Sequence, residues 1–276
     1  MNSPTIYFRR FDPVQRILHF FVVVSFLGLA VTGLPLKYAQ KDWAWMMAQY
    51  LGGFQALGFF HRVCGVITLG YFVVHLLLVL WQARKTRART WFFFLFGPDS
   101  MVPGPRDLIQ LFQHLAWFVG LGQRPKFDRW TYWEKFDYWA VWWGVTIIGT
   151  TGLVLWFPST FADLLPGWMF NVAMVIHSDE ALLATGFIFT FHFFNGHLRP
   201  GKFPMDTAIF SGKVPEHELI EDHPAWYERL KASGRLEAMQ ARPPSEDFLV
   251  LARFFGAAAV AVGLTLALLM ILALFA

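Results

Sequence analysis

Nine histidines are present, and five of them, His19, His61, His75, His177 and His192, lie in stretches otherwise built from apolar residues. An imidazole shut away from water must find a partner, because an unsatisfied polar group is costly there. One isolated histidine meets that need by hydrogen-bonding a neighbouring helix, but the spacing of these asks for more. His61 and His75 are 14 residues apart, which places them about 21 Å apart along one helix and within about 40° of the same direction. His177 and His192 are 15 apart, about 22 Å along the axis, with an offset of about 60° that a local helix distortion absorbs. Two helices with histidines at matching depths present pairs of imidazoles, and neutral imidazole is an axial ligand for haem iron. Periodicity sets His61 opposite His177 near one end and His75 level with His192 near the other. Gly65 and Gly186 leave room for a planar macrocycle or for ordinary close packing of membrane helices.

Other metal chemistry fits less well. A hydrolytic zinc or di-iron centre needs clustered ligands such as HxxxH or HExxH, and neither run occurs. His192 and His197 are five residues apart, on different faces of a helix. Cys64 is the single cysteine, which excludes an internal disulfide, a cysteine-rich zinc site and a CxxCH haem attachment.

The elements that must hold these histidines follow from composition. With 56% hydrophobic, 18% aromatic and only 15% charged residues, the chain is far from the roughly 25% charged residues of soluble domains. Five stretches, about 17–36, 57–81, 136–157, 168–194 and 248–275, are long and apolar enough to cross a hydrocarbon core of about 30 Å. The fold expected is an all-α, integral-membrane helical bundle: a four-helix haem-binding core in residues 1–235, then a linker and a fifth transmembrane helix in 236–276. The first stretch lacks a small-residue cleavage site and reads as a retained span rather than a secretory signal. Of the 23 Lys and Arg residues, all but Lys37, Lys41 and Arg62 fall on one side, so the expected topology has a cytoplasmic N-terminus and a C-terminus on the opposite face. The net charge of +4 therefore reads as topology and not as nucleic-acid binding. Residues 106–122 are apolar on one side and too short to span, which suits an interfacial or packing helix. Residues 198–245, rich in proline and mixed charge, read as an ordered tail under the bundle, with His217 and His223 solvated and 224–227 a docking surface or a cover. No internal repeat is evident, and tryptophans such as Trp43, Trp45, Trp130, Trp133, Trp156 and Trp168 read as interface anchors.

Four runs carry a resemblance: RFDPVQRILHF (10–20), FHRVCGV (60–66), IHSDEALLATGFIFTFHFF (176–194) and DHPAWYERL (222–230). With them the chain resembles the multi-haem membrane cytochromes b that include the gamma subunit of formate dehydrogenase and the cytochrome b subunits of membrane-bound hydrogenases. The resemblance implies that His61 and His177 ligate an outer haem b and that His19 and His192 ligate one nearer the cytoplasm. It also implies a bacterial inner membrane, a quinone as diffusible substrate, and a catalytic, iron–sulfur or multihaem cytochrome c partner. His75 has no counterpart in the formate dehydrogenase pattern, the 15-residue spacing is one longer, and the fifth span is additional. The pairing of His192 with His19 or with His75 thus stays open, as does the count of two haems b or three.

The expected role is an electron-transfer subunit of a larger oxidoreductase complex, with a quinone site drawn from His197, Asn195, Asp137 and His114. Glu180 reads as a proton-exchanging group or a support for His177, and Asp137 also as a helix-start residue. The alternatives are a proton- or metal-handling membrane transporter and a purely structural anchor.

Overall fold

The computed structural model describes residues 5–85 and 91–275; Arg87 and Arg89, counted in the charge asymmetry, lie outside them. A short strand, β1 (Tyr7–Arg9), leads into α1 (Pro13–Lys37), whose start is written in the run FDPVQ. Asp12 Oδ1 accepts from the Gln15 N–H at 2.8 Å, and the Gln15 side chain accepts from the Asp12 N–H at 3.0 Å. Pro13 fills the first helical position, where an N–H has no partner to lose. There follow α2 (Asp42–Tyr50), α3 (Gly53–Lys85), α4 (Trp91–Phe96), α5 (Pro105–Phe118), α6 (Tyr132–Trp156), α7 (Pro158–Ala162) and α8 (Trp168–Phe187). The chain continues through α9 (Ala208–Ser211), β2 (Lys213–Pro215), α10 (Glu216–Asp222), α11 (Pro224–Ala232), β3 (Gln240–Ala241) and α12 (Glu246–Phe275). Beyond α8 the helix runs on as two π-helical turns, Ile188–His192 and Phe194–Leu198.

Among the described residues, five helices are long and apolar enough to cross a membrane: α1, α3, α6, α8 with its π turns (Trp168–Leu198), and α12. Each lies within a few residues of a stretch expected from hydropathy, which makes this an all-α membrane protein. Residues such as Ile17, Phe20, Val66, Leu77, Leu183 and Leu268 are exposed, as suits helices whose outer faces meet lipid.

Contacts divide the chain into two compact units. The first comprises Ile17–His75, Val141–Asp206 and Val250–Ala276. Its core joins Ala30 and Leu34 of α1, Phe189 and Phe193 of the π-helical stretch, and Leu266 and Ala267 of α12.

The second unit comprises Met1–Arg16, Leu76–Ala140 and Thr207–Leu249. It holds a small antiparallel sheet, ordered β2-β1-β3, in which Phe8 stands opposite Val214 and Gln240. Phe8, Val214, Leu219, Trp226 and Leu230 form its core. The expectation that His223 is solvated is corrected here. His223 and Trp226 are each 2% exposed. The His223 ring accepts from the Arg10 guanidinium through Nε2 and donates through Nδ1 to the Asp128 carbonyl at 2.7 Å. Arg10 also pairs with Glu134 Oε1 at 2.5 Å, while Glu134 Oε2 accepts from the Thr131 N–H and hydroxyl, each at 2.8 Å, in the capping box that starts α6. A high density of charge suggests a solvated tail, yet these charges neutralise one another: Arg124 meets Asp222 at 3.3 Å, and Arg229 meets Asp99 at 2.6 Å and Asp128 at 2.7 Å. His217 is exposed, as expected.

In the same unit α5 turns Leu108, Ile109, Phe112, Leu115 and Phe118 outward and buries Gln110 and His114. This inverted amphipathicity agrees with the interfacial reading of 106–122, since lipid takes the apolar face of such a helix.

Candidate functional site

Within the first unit two pairs of histidines approach ring to ring. His61 on α3 and His177 on α8 have ring centres 6.2 Å apart with planes at 76°. His19 on α1 and His192 at the end of the first π turn have ring centres 6.4 Å apart with planes at 39°. A direct hydrogen bond between two imidazoles, nitrogen to nitrogen at about 2.9 Å, brings the centres to about 5.1 Å, so both pairs are too far apart for one. A metal ion between two imidazole nitrogens on opposite sides of it, at about 2.0 Å each and every nitrogen about 1.1 Å from its ring centre, sets the centres about 6.2 Å apart. Both separations suit a single metal ion shared between the two rings.

Hydrogen bonding also fixes the tautomers at the first pair. Thr32 Oγ1 spends its one proton on the Gly28 carbonyl at 2.6 Å. Towards His61 Nδ1, 3.0 Å away, the hydroxyl must therefore accept, with the Leu29 carbonyl beside the same nitrogen. His177 Nδ1 donates to the Ile148 carbonyl at 2.9 Å, and Thr151 Oγ1, which donates to Ile147 at 2.7 Å, lies 3.4 Å from it. Both rings are held as the Nδ1–H tautomer, which leaves the Nε2 lone pair for a metal, the arrangement that raises ligand basicity and sets ring orientation.

Beside each threonine stands a glycine on which the ring rests. A Cβ at Gly33 would come 3.0 Å from His61 Cε1, and one at Gly152 would come 2.9 Å from His177 Cε1. A Thr-Gly step on α1 thus seats the histidine of α3, and a Thr-Gly step on α6 seats that of α8. These four residues were missed from sequence. The signal was there as Thr-Gly-Leu at 32–34 and again at 151–153, a short repeat in the first and third spans where none was expected. The glycines chosen from sequence stand elsewhere: Gly65 has open space on its free side, while Gly186 faces Met270 of α12 at 3.4 Å.

Periodicity sets His75 level with His192, while the ring seen against His192 is that of His19. The His75 ring lies against Trp142 of α6 at 5.9 Å, and His192 lies against His19. Periodicity gives a side chain's direction about its own axis but not which neighbour stands there. In addition, the turn Ile188–His192 is π-helical and takes in one more residue than an α turn. It is the distortion that the 15-residue spacing required.

The four quinone candidates fall in different units. Asn195 and His197 occupy the second π turn, immediately after His192. The His197 ring packs on Phe193 at 5.7 Å, and its Nδ1 is buried with no hydrogen-bond partner. Electrostatically, His197 is within reach of both His19 and His192. Asp137 and His114 belong to the second unit, where His114 bonds the Tyr132 hydroxyl at 3.0 Å and stacks on Phe118 and Trp133. Glu180 is not what supports His177, since that place is taken by Ile148 and Thr151. Among the tryptophans, Trp45, Trp156 and Trp168 are exposed near span ends, whereas Trp43 packs with the core of α1, α8 and α12.

Comparison with protein-family models and with curated proteins finds no match for this chain.

Proposed function

We propose that this chain is a membrane electron-transfer subunit that binds two haems b, one between His61 and His177 and one between His19 and His192. The observation that carries the reading is the pair of ring separations, 6.2 and 6.4 Å, both suited to a shared iron and unsuited to a direct hydrogen bond. Support comes from the Nδ1 bonds of His61 and His177, which leave their Nε2 lone pairs free to ligate. Within this reading, α1, α3, α6 and α8 form the haem-binding core and α12 is an addition to it.

Bound haem supplies a one-electron ferric/ferrous couple. The imidazoles of His61, His177, His19 and His192 would hold the iron, the surrounding helices would exclude water, and the Nδ1 bonds would fix the tautomers of His61 and His177. The two sites lie about 22 Å apart along α8 and its first π turn, as the rise between His177 and His192 sets, a distance that covers much of the bilayer. His197 and Asn195 sit by the second site, where the buried, unpartnered Nδ1 of His197 is suited to hydrogen-bond a quinone oxygen and to take or give its proton. Charge asymmetry favours a cytoplasmic N-terminus and places the His19–His192 site on the cytoplasmic side. A catalytic, iron–sulfur or multihaem cytochrome c subunit takes the electrons or delivers them, as in the multi-haem cytochromes b that the chain resembles.

The test is spectroscopic. Purified protein should show a Soret band and a sharp alpha band on reduction, with two haems per chain by pyridine haemochrome assay. His61→Ala should remove one component and His192→Ala the other. A colourless preparation rejects the proposal and returns the intramembrane histidines to a proton- or metal-handling transporter.

A further inference from the structure

The α12 helix lies against the stretch of α8 that departs from α geometry. The turn Ile188–His192 is π-helical, a form that is rare and is seen where something holds it. Phe189 and Phe193 flank His192 in sequence and are 1% and 6% exposed. Their rings touch each other at 5.3 Å, and Phe189 meets Phe26 of α1 edge-on at 5.8 Å. On the other side they rest on Gly263 of α12, where an added Cβ would come 2.5 Å from Phe193 and 2.7 Å from Phe189. Neither ring has space to retreat, because Ala30, Leu34, Leu266 and Ala267 close the same core, and a packed interior transmits such a displacement rather than absorbing it. Two turns towards the start of α12, Gly256 seats Met205 in close contact, so the helix grips the chain again after the π turns.

We infer that α12 aims His192, with Gly263 as the positioning residue: its missing side chain lets Phe189 and Phe193 sink against α12 and holds the wide turn that brings the His192 ring to His19. This inference rests on the proposal that His19 and His192 hold a haem. The 15-residue spacing between His177 and His192 needs a wide turn, and the wide turn needs a wall.

The experiment uses the full-length protein and compares Gly263→Ala with Ala261→Leu, which adds bulk to the exposed face of the same helix. Redox titration and low-temperature EPR read the two haem components separately, and the His61–His177 component reports that the fold is intact. In Gly263→Ala the His19–His192 component is expected to shift its midpoint potential and EPR signature, or to fall below half occupancy. The other component should stay at the wild-type position, and Ala261→Leu should change neither. Wild-type behaviour of both components in Gly263→Ala overturns the inference while the haem proposal stands. Parallel loss of both components also overturns it, by making Gly263 a general packing residue. Wild-type protein without haem removes the parent proposal and this inference together.

Discussion

Replacing Thr32 with valine removes a hydroxyl at nearly constant shape and takes from His61 Nδ1 the acceptor that stands 3.0 Å away. A hydrogen bond of this kind contributes about 1 kcal/mol. Donation from Nδ1 makes the imidazole a more basic ligand, and a more basic ligand favours the ferric over the ferrous state. Its loss should therefore raise the midpoint potential of the haem at His61 and His177. For a one-electron couple, about 1.4 kcal/mol corresponds to about 59 mV, so the full bond is worth about 43 mV. The Leu29 carbonyl beside the same nitrogen can take up part of the bond, which sets the expected rise at about 20 to 40 mV. Thr151→Val is the internal comparison. His177 keeps its 2.9 Å bond to the Ile148 carbonyl and loses only a contact at 3.4 Å, so its shift should be less than half as large. Potentiometric titration of both variants, followed at the alpha band, measures this. An unchanged or lowered potential in Thr32→Val, or an equal shift of both haems, would refute the assignment of Thr32 as an acceptor from a ligating histidine.

Three further outcomes are expected. His19→Ala should lower the haem count by one in the pyridine haemochrome assay, whereas His75→Ala, which removes a ring packed on Trp142, should leave two; loss of a haem in His75→Ala would reopen its role as a ligand. His223 should make stability fall with acid. Burial, then the neighbouring Arg10 guanidinium, holds its pKa down at about 4, below the ordinary 6.5. The unfolded chain therefore takes up the proton first, and stability present above pH 6.5 is lost progressively down to pH 4, by about 3 kcal/mol at most. Thermal unfolding at pH 7.5 and 4.5 should show a smaller pH effect in His223→Gln than in wild type, and an equal effect in both would count against a neutral buried ring. Trp226→Ala should cost about 3 to 5 kcal/mol by opening a cavity in the core of the second unit, read as a lowered Tm and faster tryptic cleavage after Arg229 and Lys231.

The spans were legible because lipid demands unbroken apolar runs of about 20 residues, a signal that needs no knowledge of neighbours. His61 with His177 was legible for a related reason: matched spacing on two helices restricts which rings can meet. The partner of His192 was not, because periodicity is silent about a third helix and because a π turn re-aims the residue. The tail was misread since a count of charges does not say which of them pair, and Arg10 lies more than 200 residues from His223. Thr32, Gly33, Thr151 and Gly152 escaped notice because threonine and glycine are the ordinary packing residues of membrane helices. Only their repetition, each ahead of a histidine on the next long span, marks them.

That repetition bears on how the two sites differ. The first pair is built twice over from the same parts, a Thr-Gly step on one helix and a histidine on another, so His61 and His177 have near-equivalent surroundings and a fixed tautomer. The second pair draws one ring from α1, the helix that also braces His61, and the other from a π turn walled by α12, with the buried Nδ1 of His197 close by. Axial ligands alike in kind but unlike in bonding and burial give haems unequal potentials. If the chain binds two haems as proposed, the packing around the histidines would set their potentials apart even though all four ligands are imidazoles.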